Sequence, residues 1–321
     1  MKRKILLVSG LLMAAVLSAC TDSTSQSGRG PYVEEEEPET VNTPTPTPTP
    51  EDPVIDPGVI DVPPEEVYEE MELTIENVTI ETEEHGIRED REFPLAYVRF
   101  QLINLSDTSR EQWLDLGQAL DSINNEVYTE AIDVLENNYE YACELSDDVR
   151  YSSNMREADV YVLRADEIML SYCTSYYAMN NGPHPAMWTE CRCLDTHTGE
   201  DLKLEDIISG EDRLAKLPNI IWDNLVPDAL GEDYEFSEEE EHMIRSKIED
   251  IVNNGELVWG MDEKSILIYF DSDALMSYAF GPFSATIKLD EYPGLVNEWY
   301  LPVECSAVGG RVTYVESNLV N

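Results

Sequence analysis

Basic residues are scarce in this chain. Lys and Arg total 20 against 67 Asp and Glu, a formal net charge of −47 at pH 7. A surface of that sign repels phosphate backbones and anionic lipid headgroups, which argues against nucleic acid as a partner, and it attracts cations or basic proteins. Solubility outside the cell is an equal explanation for the acidity. The imbalance is not confined to one tail, because residues 88–321 hold 48 acidic and 16 basic residues, a difference of −32. Catalytic signatures are missing as well. There is no Gly-x-Ser-x-Gly elbow, no phosphate-binding loop, no His-Glu-x-x-His and no dinucleotide fingerprint. Carboxylates are so common that pairs of them carry no information about glycosidase chemistry. Asp271-Ser272-Asp273 lacks the Gly and the distal Glu of a calcium loop and reads as a solvated turn. No enzyme, cofactor or metal site is expected.

Long apolar runs are absent too. Ile5 to Val16, behind Met1-Lys2-Arg3-Lys4, is too short to span a bilayer permanently and reads as a signal peptide over 1–20. It closes in Leu17-Ser18-Ala19-Cys20, the lipobox pattern, which predicts lipidation of Cys20 and attachment to the outer face of a bacterial cell membrane. Residues 21–70 show no apolar period. They carry Glu34 to Glu37, a Thr-Pro repeat from Thr43 to Pro50, and no Lys or Arg between Gly30 and Arg88. Like charges repel and prolines favour polyproline II, so this stretch is expected to be a disordered tether with a reach on the order of 100 Å.

Folded structure is expected from Met71. Met71, Leu73 and Ile75, then Val78 and Ile80, alternate with a slip at Glu76-Asn77 that suggests a strand with a bulge. Ala96 to Leu102 makes a second strand. Leu116, Leu120, Ile123, Val127, Ala131 and Val134 recur at helical spacing. Ala158 to Leu163 alternates again. Leu214 to Leu225 predicts another helix, and Ser237-Glu238-Glu239-Glu240 has the spacing of a capping box opening a further one, stopped near Asn254-Gly255. Strands at Leu257 to Trp259, Ile266 to Phe270 and Phe283 to Leu289 close the fold. The expectation is an α+β architecture of antiparallel sheets with helices on one face, in two packed lobes, 71–165 and 166–293, with a C-terminal extension at 294–321.

The central hairpin is the most informative stretch. Ile168 to Tyr177 alternates, Trp188, Glu190, Arg192 and Leu194 alternate back, and Asn180-Asn181-Gly182-Pro183-His184-Pro185 supplies the sharp loop between them. Asp195, Thr198 and Gly199 end the return strand ahead of Leu202 to Ile208. This order of parts resembles the extracytoplasmic domain of RsiV-type anti-sigma factors, which also precedes the catalytic domain of PdaC-type peptidoglycan deacetylases. Tyr278-Ala279-Phe280-Gly281 is similar to that family's Tyr-Ala-x-Gly segment. Where the family has Gly-Gly-Ala-His, this loop keeps Gly182 and His184. The resemblance covers about 73–293 and implies a protein-binding or wall-binding role, since RsiV-type domains bind lysozyme. No segment resembles the deacetylase metal motifs. Cleavage before Cys20 would leave nothing in the cytoplasm to hold a sigma factor.

Candidate ligand-contacting residues are therefore Tyr176, Tyr177, Asn181, Gly182, His184, Trp188 and Tyr278. A structural role for His184 is the simpler reading, since no second group is placed by the sequence to orient it. Without Cys20, five cysteines remain. A hairpin centred on Gly182 sets Cys173 opposite Cys191, with Cys193 as the alternative partner. Zinc would need a fourth ligand that no spacing supplies. The expected protein is a lipid-anchored surface binder of a basic extracellular protein such as lysozyme. The alternative is a peptidoglycan-binding module using Tyr176, Tyr177 and Trp188 as stacking platforms, and a cryptic wall hydrolase or deacetylase is the third.

Overall fold

The structure, a computed structural model, describes residues 70–88, 91–145, 152–182, 184–227, 235–302 and 310–316. The signal peptide, Cys20 and nearly all of the tether lie outside the described residues, as do Pro183 and Cys305. Among the described residues, no helix is long and apolar enough to cross a membrane.

The chain opens with β1 (Glu72–Glu81), a small hairpin of β2 (His85–Arg88) and β3 (Arg91–Pro94), and β4 (Ala96–Leu105). Leu73 and Ile75 of β1 are buried, with Met71 just before it, and so are Ala96, Val98 and Phe100 of β4. The bulge expected at Glu76-Asn77 does not form. Ile75 pairs with Ile103 and Val78 with Phe100, so each strand carries the same three-residue step and no residue is left over. The register shift occurs instead in β5 (Asn154–Ala165), between Val162 and Arg164.

Helix α1 (Asp107–Gln112) is capped by Ser106, whose hydroxyl accepts from Ser109 N at 3.2 Å. The buried Trp113 separates it from α2 (Leu114–Glu144). Leu116, Leu120 and Ala131 of α2 are buried against β4 and β5, so the predicted stripe is the packed face. A parallel pair needs a long crossover between its strands, and α1 and α2 supply it for β4 and β5. Their pairing ends at Arg99 and Glu157. Beyond it the Gln101 side chain fills the gap, donating to Asn77 Oδ1 and accepting from Val160 N, both at 2.6 Å.

β6 (Met169–Met179) and β7 (Ala186–Asp195) complete the sheet, and β12 (Arg311–Glu316) adds a parallel edge strand, giving the order β12-β1-β4-β5-β6-β7. The α+β class holds, but with two parallel pairings where antiparallel ones were expected. After β7 come α3 (Leu204–Ile207), α4 (Glu211–Leu214), α5 (Leu217–Asp223), β8 (Leu225–Pro227), α6 (Glu238–Asn254), β9 (Val258–Met261), β10 (Ser265–Phe270) and β11 (Phe283–Lys288). The last four strands form an antiparallel sheet, β8-β11-β10-β9, around a core that includes Leu217, Ile221, Ile244, Ile248, Ile268 and Phe283. The capping box at Ser237 and Glu240 is present, and Gly255 ends α6 at φ 70°.

The lobe boundary expected at 165/166 falls between two paired strands. β6 cannot be assigned to one lobe, because Met169 packs into the second core while Leu170 packs into the first. Likewise the C-terminal extension is part of the fold: Leu295 and Val296 join the second core, and the Tyr300 carbonyl accepts from Arg164 at 2.6 Å. Arg164 is fully buried and pairs with Asp166 at 2.5 Å. Strand β9 crosses behind β6 and β7 closely enough that a Cβ on Gly260 would meet Leu163 Cδ1 at 2.5 Å and Cys173 Sγ at 3.3 Å. Any larger residue there would require the Leu163 side chain to move.

Candidate functional site

The hairpin has the register its sequence suggests, with Tyr176 opposite Trp188 and Cys173 opposite Cys191. Of the open disulfide possibilities, the structure joins Cys173 to Cys191, with their Cα atoms 4.0 Å apart. Cys193 is a buried free thiol that donates to Ser171 Oγ at 3.3 Å, and burial pushes it up to about 11.

Alternation gives the hairpin two faces with different fates. On the face shared with α2, Tyr176 and Trp188 stack with ring centroids 4.8 Å apart and planes 6° from parallel. The Arg156 guanidinium sits 4.7 Å from the first ring and 5.0 Å from the second. Glu190 accepts from Tyr176 Oη (3.2 Å) and Trp188 Nε1 (3.3 Å), while Glu130 of α2 accepts from Arg156 (2.7 Å). Burial, then the Glu190 carboxylate, raises the Tyr176 phenol well above its ordinary value. Tyr176 is only 9% exposed. It is therefore not the stacking platform that was expected, since its ring is already spent on Trp188 and Arg156.

The opposite face carries Tyr177, Tyr97, Arg99, Glu157, Asp159 and Met187. Arg99 donates to Glu157 at 2.9 Å and to Asp159 at 2.7 Å. The guanidinium holds the Glu157 carboxyl below its ordinary value. Burial, then the hydrogen bond to Glu157, pushes Tyr97 up to about 12. Tyr177 is half-buried in this row, and Met187 beside it is 51% exposed.

At the tip, the positive φ belongs to Asn181 (53°) rather than to Gly182. The Asn181 amide donates to Ser152 O (3.0 Å) and Asn154 Oδ1 (2.6 Å), and its oxygen accepts from Ser152 N (3.2 Å). Buried Asn154 in turn donates to Asn138 O of α2 at 3.0 Å. Asn181 thus works as a brace between tip, β5 and helix. Gly182 meets no close neighbour, since a Cβ there would lie 3.9 Å from His184 O.

His184 is exposed, and its ring lies 5.7 Å from that of Tyr278 at 40°. Tyr278, in a short turn over Tyr278–Phe280, donates its hydroxyl to Pro185 O at 3.0 Å. The loop and the Tyr278 segment, with Pro185 and Tyr278 93 residues apart in sequence, meet here. A second link lies alongside, where Asp271 Oδ1 accepts from Thr189 N at 3.0 Å. Burial raises the Asp271 carboxyl above its ordinary value. Arg156 had no part in the sequence reading, and Asp271, Glu190 and Pro185 entered it only as a turn, a strand and a loop residue, without these contacts. Arg156 and Glu190 sit on the strand face of Tyr176 and could have been found from the register alone, whereas the partners of Asp271 and Pro185 depend on a turn made far along the chain.

Among the described residues, no group of three or more His, Cys, Asp or Glu side chains converges to hold a metal. What the tip offers is an exposed imidazole and phenol on a backbone tied from both sides.

No protein-family model and no curated protein matches this sequence. Among solved structures, the chain is similar to a DUF3298 family member from Bacteroides fragilis, at 15% identity and a TM-score of 0.45, covering 70% of this chain and 94% of that one. It is also similar to a DUF3298 family protein from Pseudomonas aeruginosa, at 11% identity and a TM-score of 0.42, covering 71% and 96%.

Proposed function

We propose that this protein is a lipid-anchored, extracytoplasmic binding protein that captures a basic protein such as lysozyme at the hairpin tip, as a decoy, inhibitor or accessory sensor. The observation that carries the reading is an exposed His184–Tyr278 pair, with Tyr278 hydrogen-bonded to Pro185 O, on a chain of net charge −47. A loop held at Asn181 on one side and at Pro185 on the other loses little conformational freedom on binding, so contact energy is not spent on ordering it. The acidic surface supplies attraction at a distance: it steers a cationic protein inward and raises the association rate, with the effect fading as salt rises. Lipid attachment through Cys20 and the extended tether would hold the domain away from the membrane, where such a partner arrives.

Calorimetric titration of the full chain with lysozyme, at about 20 mM and about 500 mM salt, tests the reading. Saturable binding that weakens with salt and is reduced by His184→Ala and Tyr278→Phe is expected. Absence of binding at low salt removes lysozyme as the partner, and binding indifferent to both substitutions removes the tip as the site.

A further inference from the structure

Between α2 and the strands β5, β6 and β7 lies a cleft of about 110 Å³ that takes no part in the hairpin tip. It exists because α2 packs on β4 and β5, so the α2 side of β6 and β7 extends beyond the helix. Its floor includes Tyr172 and Thr174; Glu126 and Glu130 of α2 form one wall, and Glu190 and Arg192 of β7 the other.

Two independent features mark it as unfinished. The first is charge. Glu130 is held by Arg156, and Arg192 stands 3.8 Å from Asp201, but among the described residues neither Glu126 nor Glu190 has a basic partner. The second is Tyr172. It is 5% exposed and lines the cleft, yet its hydroxyl has no hydrogen-bond partner among the described residues. The hydroxyl itself is not among the fully buried unpaired atoms of the described residues, so it opens into the cleft with its hydrogen-bonding capacity unused by the protein. Gln101 and Asn124, which also line the cleft, are committed to Asn77, Val160, Ile103 and Asn104 and have no such vacancy.

Size and chemistry then narrow the occupant. A cleft of about 110 Å³ holds several waters and so admits a side-chain head. Carboxylates on opposite walls, a hydroxyl at the floor and the edge of the Tyr176 ring call for a planar cation with several donors. We infer that this cleft receives an arginine guanidinium from a basic protein partner, with Glu126 and Glu190 accepting its charged donors and Tyr172 Oη accepting another. The inference deepens the reading above by assigning it a second contact, separate from the hairpin tip.

The test uses the full chain and Nα-acetyl-argininamide, followed by backbone amide and Trp188 indole shifts in NMR. Saturable binding on the order of millimolar is expected, centred on Thr174, Glu190 and the Trp188 indole. Glu126→Gln, which removes a solvent-screened charge, and Tyr172→Phe, which removes an acceptor, should each weaken it about threefold to tenfold. Nα-acetyl-norleucinamide should not bind. Glu126 is exposed, so Glu126→Gln carries the test even if Tyr172→Phe perturbs folding. No saturable shifts at the cleft, equal binding of the norleucine compound, or affinity unchanged in Glu126→Gln would overturn the assignment. Lysozyme separates the two proposals. If the arginine probe fills the cleft while lysozyme does not bind, the site stands and lysozyme falls as partner. If lysozyme binds and the probe does not, the reverse holds.

Discussion

The two faces of the β6–β7 hairpin share one alternation, yet near the tip one turns its aromatic rings onto each other and the other leaves its side chains half exposed. Facing α2, Tyr176 and Trp188 stack on each other under Arg156, and Glu190 takes both of their polar hydrogens. Behind them, Tyr177 and Met187 stand in a row of side chains that β9 covers only near Cys173. Period-two spacing therefore says which aromatics travel together. Whether a face is finished depends on what another part of the chain lays over it.

Truncation should separate the faces most sharply. Tyr176→Ala removes a buried ring and strips Trp188, Arg156 and Glu190 of a partner, so a loss of about 3–5 kcal/mol in urea unfolding is expected. Met187→Ala on the open face should stay within about 0.5 kcal/mol. Equal losses would mean that the back face is not free in solution. Next in size is the disulfide. Replacing both Cys173 and Cys191 by Ala reopens a link across 18 residues and should lower stability by about 3 kcal/mol. Smaller again is the brace at the tip. Asn181→Ala leaves Asn154 and Ser152 without their partner and should cost about 1–3 kcal/mol, whereas Gly182→Ala, with no close neighbour, should fall within about 0.5 kcal/mol. The reverse order would place the strained position at Gly182.

Much of this fold could be read from local pattern. The stripe Leu116 to Val134, the capping box at Ser237 and the hairpin register about Gly182 all follow from spacing, because helices and hairpins are closed by neighbours in sequence. What failed was non-local. The step at Glu76-Asn77 looked like a bulge because its matching step at Phe100 to Ile103 lies on another strand. The lobe boundary at 165/166 failed because β6 buries Met169 and Leu170 in different cores. At the site, the sequence located the loop and the Tyr278 segment but not their contact, and it mistook Tyr176 for a platform because its stacking partner also looked free.

The finest test of the comparison is pH, through two carboxylates whose environments differ in sign. Glu157 lies beside Arg99, which lowers its folded-state pKa. A lowered pKa means that the folded protein favours the carboxylate, so the stabilisation is in place above about pH 4.5 and is lost as pH falls through the lower folded value. Arg99→Met should therefore cost stability near neutral pH and little in acid. Asp271 is the opposite case, raised by burial where it meets Thr189 N. Its folded form favours the proton, so its contribution is greatest below about pH 3.8 and declines as pH rises through the raised folded value. Asp271→Asn keeps an oxygen for Thr189 N without the charge, so it should gain on the wild type as pH rises and match it in acid. Urea midpoints of the two variants between about pH 3 and pH 7 should thus diverge from the wild type in opposite directions. If they moved the same way, burial at Asp271 would be outweighed by its hydrogen bond, and the link between hairpin and second sheet would be a charge-stabilised one.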